Sequence, residues 1–540
     1  MRLARFLVLS LAIASCDAAP QRDAIAPPRL ADGFGAQAGG SVVVDSSGAW
    51  AFAADADAHA VRALDLATRR ERRTDVAGAP EQIALLDARR IAVTLRDKNE
   101  VVVYAVGDDG ALTAVAAIDV PTDPFGLART PSGDLLVTSA FGRRVSLVDV
   151  ARAKVAWSLP TQREPRGVVV TADGARAFVS HLVGDVATVV ELAGDTPRLH
   201  TLSGLGGLHR NRLDGAVRSG TLHPVPALGY AVALSPSGAR VFFPHVVEQN
   251  GATAQVVPGS YGGVPEEDDT SVASVSVVSA AAPAVLGAGD APSHAASPLH
   301  GSNTPAPTAA VSRQARAAVA VGDRLYVTSL GTDDVVALDA RAIDPATAPL
   351  DALPVCAGPT GIAALPGRDE LVVWCQFDAE FALVDVADRS VTLVRAADGD
   401  RGASLSATAA AGRKLFHAEG DRRISRDGRA CAGCHPEGRD DGVVWKLGEG
   451  PRQTPTLVGR VAHGPFGWRA KHAVLEDNIA ETIGRLGGRG LPKGELAELA
   501  TFLREGLVAP RRAPVVDTPE IARGRALFTD AKVGCSSCHA

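Results

Sequence analysis

From about residue 40 to residue 398 one pattern recurs at roughly forty-residue intervals: an apolar run, a tight turn, a second apolar run, a polar tip and a V-x-L-D-like run. Ser41-Val42-Val43-Val44 precedes Asp45-Ser46-Ser47-Gly48, and Gly167-Val168-Val169-Val170 precedes Ala172-Asp173-Gly174. Ala231-Val232-Ala233-Leu234 precedes Pro236-Ser237-Gly238, and Ile362-Ala363-Ala364 precedes Pro366-Gly367. Second runs such as Leu135-Leu136-Val137-Thr138 and Leu371-Val372-Val373 follow, then outer runs such as Phe381-Ala382-Leu383-Val384-Asp385. Each unit joins β-rich runs by turn residues. A four-stranded unit of this kind cannot stand alone, because it exposes both its edges and its apolar faces; a closed ring removes that exposure. The chain is therefore expected to be multidomain. An all-β propeller of about seven blades would span 40–398, with units starting near 40, 80, 122, 165, 226, 313 and 357.

The openings Pro124 to Gly126, Pro165 to Gly167 and Pro359 to Gly361 resemble the YVTN-type propeller family. Two stretches break the period and read as insertions: 204–225, with Gly, Arg and two histidines, and 248–312, rich in Ala, Ser, Pro and Gly around Glu266-Glu267-Asp268-Asp269. Insertions on one propeller face often carry contacts. His209, His223 and His245 are candidate ligands or substrate contacts there, or loop histidines with no special role.

From about residue 405 the period becomes helical. An Ala-rich helix from Ala407 to Phe416 contains Gly412-Arg413-Lys414-Leu415-Phe416, and Gly524-Arg525-Ala526-Leu527-Phe528 repeats it. After each comes a Cys-x-x-Cys-His stretch: Cys431-Ala432-Gly433-Cys434-His435 and Cys535-Ser536-Ser537-Cys538-His539. This is the attachment signature of c-type haem, with two thioether-forming thiols and an adjacent histidine as proximal iron ligand. A zinc site or a thioredoxin-like redox pair is the rival reading. Gly487-Gly488 reads as a helix stop and Pro492 as the start of a last helix with Leu496, Leu499 and Leu503 on one face. The expectation is a whole all-α cytochrome c-type domain over 405–508 and the start of a second, truncated one over 513–540, with haem c as cofactor. Only Ala540 follows His539, so the chain reads as a piece that continues.

The order Cys431 to His435, Pro436-Glu437-Gly438-Arg439-Asp440-Asp441-Gly442, Thr454-Pro455-Thr456-Leu457 and Pro465-Phe466-Gly467-Trp468 resembles the di-haem cytochrome c peroxidase family. The resemblance covers about 404–540. It implies that His435 and His539 are proximal ligands, that Cys431, Cys434, Cys535 and Cys538 hold the haems, and that Trp468 lies on an inter-haem electron path or packs against the porphyrin. The family's acid about twenty residues after that Trp is replaced by Gly487-Gly488-Arg489-Gly490. Candidate distal groups are His417, His463 and His472, each of which also reads as a surface or packing residue. The only Met is Met1, so no Met can ligate iron in the processed chain.

The N-terminus predicts export. Arg2 and Arg5 precede the apolar run Phe6 to Ile13, too short to span a bilayer, and Ile13-Ala14-Ser15-Cys16 resembles a lipoprotein processing box. Residues 1–15 then form the signal peptide, Cys16 carries lipid, and 16–39 is a linker on the periplasmic side. An ordinary signal peptide cut after the alanines at 18 and 19 is the alternative. Of seven cysteines, only Cys356 and Cys375 remain. A disulfide between them suits an exported protein; two buried thiols are the other reading. The net charge of −6 argues against a nucleic-acid partner.

Taken together, the sequence predicts an exported, membrane-tethered di-haem oxidoreductase, peroxidase-like, exchanging electrons with peroxide or a redox partner protein. The alternative is a haem electron-transfer or binding lipoprotein without turnover, with the propeller as an interaction module. A quinoprotein dehydrogenase is disfavoured, since the propeller has no vicinal cysteine pair and few tryptophans.

Overall fold

The computed structural model describes residues 37–184, 186–193, 196–205, 225–248, 271–290, 314–343, 345–395, 405–447, 450–511 and 517–537. Seven antiparallel sheets follow one another along the chain, opening at Val42, Pro80, Pro124, Pro165, Val225, Ala315 and Pro359. They are the blades of a seven-bladed β-propeller, and their starts coincide with the units read from the sequence. The two innermost strands of a blade are buried on both faces, as in Pro165–Val170 and Leu135–Ser139. Blade packing on either side explains why these strands read as continuous apolar runs. Outermost strands are polar instead: Arg70–Asp75 reads Arg-Glu-Arg-Arg-Thr-Asp. Charged edges of this kind resist pairing with other chains.

The core is a series of layers between blades. Phe52, Ile83 and Ile91 join blade 1 to blade 2. Val42, Ala51 and Leu64 of blade 1 meet Trp374 and Phe381 of blade 7, which closes the ring. Near the axis the inner strands approach so closely that a Cβ on Gly126 would lie 2.1 Å from the Arg166 carbonyl oxygen of the next blade. The glycine of that Pro-x-Gly opening is thus a packing requirement. The N-terminal strand Gln37–Ala38 adds to the inner strand of blade 3, and the Gly39 amide bonds to the Leu127 carbonyl at 2.7 Å.

Blade 5 departs from the sequence reading. The Ala- and Ser-rich stretch taken as an insertion over 248–312 contains its two outer strands, Ser271–Ser279 and Val285–Asp290. Its inner strand is split into Val225–Ala227 and Ala233–Leu234. Cys356, just before the inner strand of blade 7, is disulfide-bonded to Cys375 at the end of the second strand, with Cα atoms 5.6 Å apart. Because it closes a short loop, changing both residues to Ala is expected to cost about 3 kcal/mol. Denaturant unfolding of the double variant checks this; an unchanged midpoint and slope would refute it.

Among the described residues the C-terminal part carries four helices of eleven residues or more: α1 (Ala407–His417), α2 (Leu475–Arg485), α3 (Lys493–Glu505) and α4 (Pro519–Thr529). Ser406 caps α1 by accepting from the Ala409 amide, and Glu476 and Asp477 place negative charge in the first turn of α2. Between α1 and α2 lie the helical turn Cys431–Cys434 and a hairpin of Val444–Leu447 with Gly450–Gln453, so the module is not wholly helical. Phe416, Ile479, Ile483, Leu499 and Leu503 form its core. α1 crosses α3 at Gly412, where a Cβ would lie 2.0 Å from the Glu498 carbonyl oxygen. By contrast α4 buries no residue, and Leu527 and Phe528 are 59% and 41% exposed. Among the described residues no helix is long and apolar enough to cross a membrane. The expected signal segment over 1–15, Cys16, His209, His223, Cys538 and His539 lie outside the described residues.

Candidate functional site

Cys431 and Cys434 sit at the two ends of one helical turn, both partly buried and unlinked to each other. Burial pushes each thiol up to about 12. A redox-active thiol pair needs the opposite shift, toward thiolate. Among the described residues no group of three or more His, Cys, Asp or Glu converges as a metal site. His435 follows directly, and its backbone amide bonds to the Cys431 carbonyl at 2.9 Å. Its Nδ1 is buried without a hydrogen-bond partner. Burial dominates and pushes the imidazole down to about 4, so it is neutral at pH 7. A neutral imidazole and two unlinked thiols on one turn fit haem c. Cys431 and Cys434 would hold the porphyrin and His435 would face the iron.

The residues after His435 leave the module and enter the axis of the propeller. Glu437 sits in the left-handed backbone region (φ 51°, ψ 29°) and Gly438 continues the turn at φ 72°. The Glu437 carboxylate meets Arg96 of blade 2 at 2.9 Å, Arg166 of blade 4 at 3.1 Å and Arg316 of blade 6 at 3.6 Å. Arg439 donates in return to Asp123 at 2.6 Å and to Glu164 at 2.7 Å, residues that stand just before the inner strands of blades 3 and 4. Arg96 also pairs with Asp123 at 2.7 Å and with Glu81 at 3.1 Å. Burial alone would raise the Glu437 carboxyl; Arg166, Arg96, Arg439 and Arg316 outweigh it and hold the group well below the usual carboxylate range. Asp123 is held down in the same way, against its own burial, by Arg96 and Arg439. Around this centre Arg413 pairs with Asp57 at 2.5 Å, and Arg163 with Asp440 at 3.0 Å. The module is thereby fastened to one end of the propeller ring.

The histidine candidates are scattered. His417 is at this interface, its ring 5.2 Å from Phe377 of blade 7 and its Nδ1 2.9 Å from the Arg413 carbonyl oxygen. Burial pushes it down to about 3. His472 is hydrogen-bonded through Nε2 to Glu481, which also holds Lys471 at 2.7 Å. His463 is exposed. Trp468 is 58% exposed, with the Arg452 guanidinium 5.9 Å from its ring centre. His245 is in a strand of blade 5 rather than a loop, and its Nε2 bonds to Ser276 Oγ at 2.9 Å. In the second motif Cys535 opens a short 3-10 turn, and no residue of that turn is buried.

The arginines and carboxylates at the axis escaped the sequence reading. Their only local sign was a charged middle residue in an otherwise apolar opening, as in Pro165-Arg166-Gly167. No family model and no curated protein matches the sequence. Solved structures similar in form include hydrazine synthase of Kuenenia stuttgartiensis, 16% identical over 66% of this chain and 95% of that one, with a TM-score of 0.45. Virginiamycin B lyase of Staphylococcus aureus is 11% identical over 63% and 92%, with a TM-score of 0.40. A functionally unknown protein of Desulfotomaculum acetoxidans is 11% identical over 64% and 95%, with a TM-score of 0.42.

Proposed function

We propose that this chain is an exported, lipid-tethered c-type haem protein that moves electrons, either as a peroxidase-like oxidoreductase or, in a second reading, as an electron-transfer protein. Haem c is held by Cys431 and Cys434 with His435 as proximal ligand, and a second haem by Cys535, Cys538 and His539. The observation that carries this reading is the helical turn with two unlinked thiols beside a partly buried, neutral imidazole whose Nδ1 has no hydrogen-bond partner. Bound there, the haem would supply one-electron chemistry at iron. The protein's own residues supply the rest: the apolar core of α1 and α3 packs against Cys431, and the turn after His435 anchors the ligand to the propeller. Exchange with peroxide, in the manner of the di-haem peroxidases the module resembles, would also need an acid–base group beside the bound oxygen. His472 is engaged by Glu481, and both His463 and Trp468 face solvent. These placements favour the second reading, in which the module passes electrons to a partner protein without turnover of its own.

The test is covalent haem. Expressed with a c-type maturation system, the full chain is expected to retain haem after acid–acetone extraction and to give a c-type pyridine haemochrome. Changing Cys431 and Cys434 to Ala should remove the haem of the first motif. Haem content unchanged in that variant would overturn the assignment. Stopped-flow spectra with peroxide then separate the two readings: rapid spectral change supports the peroxidase-like form, an inert spectrum the electron-transfer form.

A further inference from the structure

The three arginines around Glu437 come from three different blades, yet they converge on one carboxylate that belongs to another module. They are also held by aromatic faces. The Arg166 guanidinium lies 4.7 Å from the Phe125 ring centre and 5.6 Å from that of Tyr230, and Arg316 lies 3.9 Å from Tyr230. Arg166 is fully buried, and its Nε and Nη1 have no hydrogen-bond partner. Such a site keeps its charge in place without neutralising every donor. Glu437 reaches it only by adopting a left-handed backbone, which favours Gly, Asn or Asp over Glu. What selects Glu at this position is its carboxylate. Glu437 stands two residues after His435, so their Cα atoms are at most ~7 Å apart. Charges this close, in a site largely shielded from solvent, act strongly on one another.

We propose that Arg96, Arg166 and Arg316 of the propeller, acting through Glu437, are positioning residues for the iron at His435 and set its reduction potential. This rests on the haem reading above. The propeller axis is then part of the redox site: its guanidiniums orient the loop that carries the ligand, and the balance of buried charge there fixes how readily the iron accepts an electron. Loss of a negative charge favours the reduced iron, and loss of a positive charge disfavours it.

The experiment is a spectroelectrochemical titration of the full chain, loaded with haem, in a Cys535→Ala/Cys538→Ala background so that one iron is read. Glu437→Gln should raise the midpoint potential and Arg316→Gln should lower it. The double variant should return toward the parent value. A purely structural role would expose the haem in both single variants and move both in the same direction, without compensation. Shifts of one sign, or no shift in either, would overturn the proposal. Should Glu437→Gln fail to retain the native fold, Arg316→Gln decides alone: a fall supports the proposal, and a rise or no change overturns it. A parent chain without covalent haem would overturn the haem reading itself, a different result from unshifted potentials.

Discussion

Gly412→Ala is expected to melt the C-terminal module while leaving the propeller folded, although it adds a single methyl group. The Cβ would meet the Glu498 carbonyl oxygen at 2.0 Å and the Phe502 Cβ at 2.9 Å. The first of these is backbone, so no side-chain rotation relieves the clash, and α1 must move off α3. Overpacking of this kind costs about 1–3 kcal/mol and occasionally more. We expect the upper end, because the crossing is also the core: Phe416 behind it is fully buried, its ring 5.3 Å from Phe502. The same five-residue pattern supplies the control. At Gly524 in α4 an added Cβ meets nothing within 4 Å, so Gly524→Ala should be neutral or stabilise that helix by roughly 0.5–1 kcal/mol. Loss of helical circular dichroism in the first variant and its retention in the second is the expected outcome. Equal behaviour of the two would refute the crossing.

That contrast also shows what the sequence can convey. The two copies, Gly412 to Phe416 and Gly524 to Phe528, are alike as strings, yet one is jammed against a partner helix and the other is exposed. Blade starts were legible because each unit repeats the same apolar runs and turn residues in order. Blade 5 was obscured where Ser271–Ser279 mixes Ser and Ala with Val, giving an apolar contrast too weak to separate a strand from an Ala-rich linker. The Cys431 to His435 motif was legible because its chemistry is contiguous. Its fastening was not. Glu437 meets Arg166 and Arg96 across 271 and 341 residues of chain, and no local pattern encodes a pairing that only ring closure creates. For the same reason the contact that seats His417 was out of reach: Phe377, whose ring lies 5.2 Å away at a tilt, is remote in sequence.

Arg439→Ala is expected to destabilise the union of module and propeller by roughly 3–5 kcal/mol, the usual cost of removing one partner from a buried ion pair. The reason is what it leaves behind. Asp123 and Glu164 are nearly inaccessible to solvent, and without the guanidinium that bridges them each loses its contact at 2.6 Å and 2.7 Å. Arg439→Lys should recover only part of the loss. An ammonium keeps the charge but lacks the planar fork that spans two carboxylates from adjacent blades. The pH dependence has a definite sign. Asp123 is held below its ordinary value by Arg96 and Arg439 against its burial. Its contribution is therefore complete above the unfolded carboxyl value, near pH 4, and is lost as pH falls toward the folded value. The stability difference between parent and Arg439→Ala should thus be full at pH 7 and shrink below about pH 4. Denaturant unfolding at both pH values, with limited proteolysis of the full chain, reads the effect directly. A variant that matches the parent at pH 7, in stability and in protease resistance, would mean that the module does not depend on the propeller axis for its seat.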